Sequence, residues 1–398
     1  IQISGNDVFS TDLLAQIKTV APDVEAWFGA DTGNATYTGT TLSTTGRTKA
    51  GGNEWFRLGS GGGTLTIANA NVLNGAFALT VGAENQTGLV NIGGLVYLPQ
   101  AQNYTGTRTE LIGTSVTYGT HVGSGGILVV GQNGALNAAN NTILLRSAEL
   151  RLGVDPNNTY LGGVDTQYAA RNIDVRSGTG TLRTVSLSGG SNGVLKLNDF
   201  LMRMDDADRT FQMLSTGTHR TATHFDGTAV LENGTTARTA NFTVGNDNDF
   251  QSGLGLLVFN TAISQTGTGA VAVQKNNGGV LVFKADNTYS GNTTITQGRL
   301  VVAHAGAAGN AGSTISLTAN SDRRAELDFR LDGTGPFLVD NNVATAGGND
   351  GSSRYITVGS LTGSSSNQEV RLTSLTSNAA GAATTGNNAS GIWFDGFN

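Results

Sequence analysis

The chain alternates apolar and polar residues in short bursts, each closed by glycine, asparagine or another turn former. Thr64-Leu65-Thr66-Ile67, Ala76-Phe77-Ala78-Leu79-Thr80-Val81 and Leu89-Val90-Asn91-Ile92 set the cadence. Ile143-Leu144-Leu145, Ile173-Asp174-Val175, Val185-Ser186-Leu187 and Val194-Leu195-Lys196-Leu197 continue it. A period of two between turn residues predicts half-buried strands. The segments around Asn198–Arg220 and Ala344–Arg354 look irregular and read as loops leaving the stack of strands, and the stretch from Ser10 to about Phe28 departs from the pattern with helical grammar. There Leu13, Leu14, Ile17 and Val20 fall at helical spacing, Ser10 or Thr11 is placed to cap, and Asp12 lies in the first turn. Pro22 ends or restarts that helix before Val24 and Trp27. The segment reads as a short cap, because the end of a stacked sheet otherwise exposes unpaired edges and bare core.

The run from Gly278 to Val302 is the most informative. It holds a strand, a polar turn around Asn287-Thr288-Tyr289-Ser290-Gly291, a Thr-rich strand, Gly298 and a further apolar strand. An earlier stretch repeats it: Gly93-Gly94-Leu95-Val96-Tyr97-Leu98 runs into Tyr104-Thr105-Gly106 and ends at Gly113. The glycine pairs, Tyr104 and Tyr289, Gly106 and Gly291, and Gly113 and Gly298 all share one and the same offset along the chain. Further on, Ile127-Leu128-Val129-Val130-Gly131 parallels Arg299-Leu300-Val301-Val302-Ala303, and Ala148-Glu149-Leu150-Arg151-Leu152 parallels Ala325-Glu326-Leu327-Asp328-Phe329. Several glycines and a tyrosine at one offset exceed what a chain rich in Gly, Thr, Asn and Val produces by chance, so 93–152 and 278–329 are two related copies. A second sub-pattern sets arginine ahead of a strand, at Arg171, Arg209 and Arg354 and more loosely at Arg238. It predicts arginines at corners, bonded to turn carbonyls.

These residues resemble the autotransporter-associated β-strand repeat, whose form is close to G-x-L-x-L-x-x-x-N-x-Y-x-G-x-T-x-I-x-x-G-x-L-x-V. The resemblance implies a bacterial secreted or surface protein. The expected fold is all-β, a parallel β-helix or β-solenoid rod with a short N-terminal helical cap. Residues 1–55 form the strand-and-cap region and 56–398 the solenoid, with coils of roughly 20–25 residues, the size of a short solenoid repeat. The chain stops at Gly396-Phe397-Asn398 without an evident domain end, which leaves room for a longer native protein.

Composition narrows the function classes. Charged residues make up 13% against a usual ~25%. Abundant Val, Ile and Thr with a net charge of only −6 argue against disorder. Without cysteine there are no disulfides and no thiolate chemistry. No apolar run reaches the ~18 residues of a membrane helix, and the C-terminal region lacks the amphipathic strands of an outer-membrane barrel. A pI near 5.2 without a basic patch argues against nucleic acid.

Candidate chemistry is sparse. His121, His219, His224 and His304 show no ligand spacing, and no nucleophile elbow, phosphate loop or dinucleotide fingerprint occurs. Asp205, Asp206 and Asp208 are the nearest to the carboxylate set a polysaccharide-cleaving β-helix needs, but they lack partner residues, and the expectation is a non-enzyme. Asp247 and Asp249 offer oxygen ligands to Ca²⁺, the only cofactor in view. The expected role is an extracellular or cell-surface structural protein, a fibre, filament or matrix subunit assembling through its chain ends. Ile1 and Ile3 supply an apolar strand edge at one end and Trp393, Phe394 and Phe397 an aromatic patch at the other. Such a head-to-tail contact is heterologous and propagates. The expected partners are other copies of the chain or extracellular glycans. The alternative is an autotransporter-like passenger acting as adhesin or stalk, and a polysaccharide lyase or hydrolase stands third.

Overall fold

The structure, a computed structural model, describes residues 1–21, 24, 26–45, 55–59, 61–82, 94–106, 108–112, 117–118, 121–122, 126–136, 142–154, 164–165, 168–186, 193–215, 221–246, 255–318, 324–330, 337–346, 353–359, 370–378 and 390–394. The fold is an all-β parallel solenoid with one short α-helix among these residues. The chain divides into two compact units, Ile1–Thr159 with Asp165–Gly189, and Tyr160–Val164 with Gly190–Asn398.

In the first unit a main parallel sheet stacks Val8–Phe9, Asn34–Tyr37, Thr64–Ile67, Leu95–Leu98, Ile127–Val130, Glu149–Val154 and Thr179–Ser186 in chain order. A second sheet stacks Trp55–Leu58, Ala78–Val81, Arg108–Ile112, Thr142–Arg146 and Asn172–Ser177. Because the side-chain period is two, in-register stacking puts like on like. Ala35, Leu65, Val96, Leu128, Leu150 and Leu182 form one unbroken inward ladder, all fully buried. The helix spans Leu13–Val20 and buries Leu14. Its N-cap is Asp12, not Ser10 or Thr11: the Asp12 carboxylate accepts from the Ala15 amide at 3.0 Å, satisfying one of the orphan donors of the first turn. No helix among the described residues is long and apolar enough to cross a membrane.

In the second unit the main sheet runs through Gly193–Leu197, Thr221–Phe225, Leu256–Phe259, Val280–Phe283, Gly298–Val302, Arg324–Arg330, Ser353–Gly359 and Ser390–Phe394. A second sheet holds Arg209–Ser215, Arg238–Asn246, Val271–Asn276, Thr293–Ile295, Thr314–Leu317, Phe337–Ala346 and Val370–Asn378. The core is an aromatic stack. Phe225 lies flat on Phe259 at 5.4 Å, and Phe200, Phe211, Phe242 and Phe283 meet these rings tilted or edge-on.

Coil length is not held at one short value, as the sequence pattern led us to expect. A long coil separates Ala222 from its ladder partner Leu256, whereas Val280 reaches its partner Arg299 through a coil little more than half that length. The long coils of this unit carry a third strand, at Phe200–Arg203, Ala229–Glu232 and Ile263–Thr266. The stretch from Asn198 expected to be a loop instead supplies Phe200–Arg203 and Arg209–Ser215 to the solenoid, with Phe200 and Phe211 buried in its core. In the short coil that follows, the turn at Asn287–Gly291 stacks on Ile263 instead, with the Thr288 amide donating to the Ile263 carbonyl at 2.9 Å.

Lys275 breaks an inward apolar column. It stacks between Phe242 and Ile295 and is fully buried. Its Nζ donates to the corner carbonyls of Asn276 at 2.7 Å, Gln297 at 3.1 Å and Asn277. Burial pulls its pKa from 10.5 down to about 7. Between those values the unfolded chain binds the extra proton, so stability rises as pH is raised from about 7 toward 10.5. Denaturant midpoints measured across that window should climb in the native chain and climb less in Lys275→Met.

Candidate functional site

The repeat turns are corners where neighbouring coils are bonded through side chains. Asn287, 4% exposed, accepts from the Ile263 amide of the preceding coil at 2.7 Å through Oδ1. Its Nδ2 donates to the Ala307 carbonyl of the following coil. One amide thus ties three coils. Tyr289 is fully buried, and its hydroxyl meets Thr293 Oγ1 at 2.7 Å. Thr293 in turn donates to the Ala308 carbonyl at 2.9 Å, which leaves the tyrosine as donor in the chain. Tyr104 repeats the contact with Thr109 at 3.0 Å. Burial pushes the Tyr104 phenol up to about 12 and raises Tyr289 further still.

Gly291 and Gly106 sit where coils touch. A Cβ on Gly291 would lie 2.6 Å from the Val271 carbonyl, and one on Gly106 would lie 2.3 Å from the Phe77 carbonyl. Gly298 has φ +76°, open to glycine at little cost. Gly113 lies outside the described residues. Sequence reasoning missed Gln102. It stands at the Asn287 position, and its Oε1 accepts from the Leu73 amide at 2.9 Å just as Asn287 does from Ile263. Its Nε2 returns to the Asn69 carbonyl at 3.0 Å rather than reaching the next coil. The signal was the constant offset between the two copies, carried two positions ahead of the tyrosine.

A second constellation, also missed, lies on the outward phase of the main sheet in the second unit. Arg324-Ala325-Glu326-Leu327-Asp328-Phe329-Arg330 puts a charge at every second position, the only sequence cue to it. Glu326 and Asp328 are 3% and 1% exposed. Arg299 and Arg324 both meet Glu326 Oε2, at 3.1 and 2.7 Å, and Arg330 meets Asp328 Oδ1 at 2.7 Å. Burial pushes the Asp328 carboxyl up, while Arg330 and Arg299 pull it back. Next to this cluster the same face is apolar, with Val258, Val282 and Val301 buried against Leu256 and Val280.

The other expected residues serve structure or lie elsewhere. Asp206 pairs with Arg209, and Asp208 Oδ1 accepts from the Thr239 amide at 2.8 Å. Arg238 Nε bonds the Met204 carbonyl at 3.1 Å and Arg209 the Asp208 carbonyl at 3.2 Å, the corner role expected of them. His224 faces Asn260 at 3.4 Å; burial and nearby Lys284 push its pKa down to about 4. His304 pairs with Asp286 on the surface. Ile1 is 37% exposed and its amine donates to the Trp27 carbonyl at 2.7 Å, while Ile3 is half-buried in a strand paired with Gly29–Ala30. Trp393 and Phe394 stand in the strand paired with Ser353–Gly359. Phe397, Asp247 and Asp249 lie outside the described residues. Among the described residues no three His, Asp or Glu side chains gather to hold a metal.

Asn287→Ala should orphan a buried amide and a buried carbonyl, at about 1–3 kcal/mol for each group. Hydrogen exchange should then accelerate at the Ile263 amide, and Gln102→Ala should do the same at Leu73. Unchanged protection at both amides would show that these side chains do not hold the coils.

No curated protein and no solved structure matches the chain. Residues 273–302 match the family model of the passenger-associated-transport-repeat, a segment running from the second-sheet strand that carries Lys275 through the Asn287 corner to Val302. That stretch of the chain therefore carries a repeat of the autotransporter-associated family.

Proposed function

We propose that the chain is an extracellular structural protein, a β-solenoid subunit of a cell-surface fibre or matrix that assembles through its chain ends. The repeat match and the parallel solenoid support a passenger-like protein with a structural or adhesin-like role, secreted or displayed on the surface. The observation that carries the assembly reading is the distribution of exposed apolar side chains. Val8 is 70%, Val20 82%, Val24 49% and Ile1 37% exposed, and Leu338 is the one other large apolar residue so exposed among the described residues. They accompany Gln2–Ile3 and Val8–Phe9, strands that pair on one side only among the described residues, and an unpaired parallel edge is a template for a further strand. The second reading, a monomeric adhesin or stalk, keeps the same fold and takes extracellular glycans as partners.

Electron microscopy of the purified chain across a concentration series tests the choice. The expected result is filaments that lengthen with concentration, and that Val8→Lys with Val20→Lys abolishes. Separate particles at every concentration would overturn assembly and leave the adhesin or stalk.

A further inference from the structure

The charged cluster on the second unit's main sheet buries its acids and leaves two of its arginines partly exposed. Arg299, Arg324 and Arg330 surround Glu326 and Asp328 in a chain whose net charge is −6. Arg299 spans both acids, with Nε 3.1 Å from Glu326 Oε2 and Nη1 3.5 Å from Asp328 Oδ2. Arg324 takes the same Glu326 oxygen through Nη2 at 2.7 Å and lies over the Tyr355 ring at 4.4 Å. Thr357 Oγ1 donates to the other Glu326 oxygen at 2.9 Å, so the carboxylate is held from both sides. The acids are almost wholly buried, yet the Arg299 and Arg324 side chains remain 39% and 56% exposed.

A guanidinium carries five N–H donors in a rigid plane. The buried acids engage Nε and Nη1 of Arg299 and Nη2 of Arg324, so each guanidinium keeps donors on its exposed side. Two guanidiniums converging on one oxygen are already close together, and their positions are fixed from beneath before any ligand arrives. Fixing the receptor in advance removes much of the ordering cost of binding, and planar forks suit carboxylate and sulfate geometry. We propose that Arg299 and Arg324 form a preorganised receptor for an oxyanion, a sulfate or carboxylate group, with Glu326 and Asp328 as its buried struts. The assignment stands whether or not the chain forms filaments.

The test is calorimetric titration of the full chain at constant ionic strength held with sodium chloride. The titrants are sodium sulfate, sodium acetate, dextran sulfate and polygalacturonate. The native chain should show saturable binding at one site for at least one of these oxyanions. Arg324→Gln should weaken it at least tenfold, Arg324→Lys should fall between, and Arg203→Gln, which removes a guanidinium from Glu232 elsewhere, should leave it unchanged. Tighter binding of the polymers would make a glycan the source of the oxyanion, and tighter binding of the simple salts would make it a free ion; either supports the receptor. Arg299→Gln takes one cation from each of two buried acids and risks unfolding, so the more exposed Arg324 carries the decision. Absence of saturable binding, or native affinity in folded Arg324→Gln, would overturn the proposal.

Discussion

A parallel coil must turn its corners without leaving main-chain amides and carbonyls unpaired in a dry interior. Along the strands the ladder satisfies every group, but at a corner the backbone leaves the ladder while still packed between neighbours. Each buried group left without a partner costs about 1–3 kcal/mol, against a typical net stability of ~5–15 kcal/mol for a whole domain. Several buried polar side chains of this protein answer that problem. Asn287 and Gln102 feed the amides of Ile263 and Leu73. Asn341, 2% exposed, donates to the Asn310 carbonyl at 3.1 Å, and the Asn310 amide donates to the Tyr289 carbonyl at 3.1 Å. Lys275 meets the same problem with its Nζ, which reaches three corner carbonyls at the expense of burying a titratable group.

This division of labour explains what could be read from the chain and what could not. Strands were legible because the two-residue period is imposed by burial of one face, as at Leu65 and Ile67 or Leu281 and Phe283. The repeat was legible because its glycines and tyrosine are forced by contact, Gly291 against the Val271 carbonyl and Tyr289 inside the core. The helix start was ambiguous because Ser10, Thr11 and Asp12 are all good caps, and only the geometry of the turn selects the oxygen that reaches Ala15. The third side of the long coils was hidden because Ile263–Thr266 is a short, polar strand that resembles the turns around it. Gln102 was hidden because a longer side chain does the work of Asn287 by folding back on its own coil and the one before.

Charge on the sheet faces obeys a second rule. Stacking in register would set like charges on one another, as Arg151 opposite Arg183. The chain answers by placing an acid two residues before an arginine on the same strand face. Glu149 meets both Arg151 and Arg183, Asp174 meets Arg176 at 2.9 Å, and Asp328 meets Arg330 at 2.7 Å. In the first unit one acid is shared between two stacked arginines, a balanced use of opposite charges across strands. Around Glu326 and Asp328 the acids are deeper, and Arg299 reaches across both of them.

The corner constraint acts on a few atoms and is indifferent to the length of chain between corners. A coil may be long with a third strand, as between Ala222 and Leu256, or short without one, as between Val280 and Arg299. The ladder still closes, provided that glycine, tyrosine and an amide side chain recur where coils meet. Two copies within one chain can therefore share the corner and differ in the intervals. Between 273 and 302 the corner is flanked by short coils and no insertion intervenes. The copy around Tyr104 keeps the contacts to the Thr109 hydroxyl, the Phe77 carbonyl and the Leu73 amide, but it has a glutamine for the asparagine and a longer interval to the returning strand at Ile127. It is a repeat in its hydrogen bonds more than in its letters, because the physics constrains only the bonds.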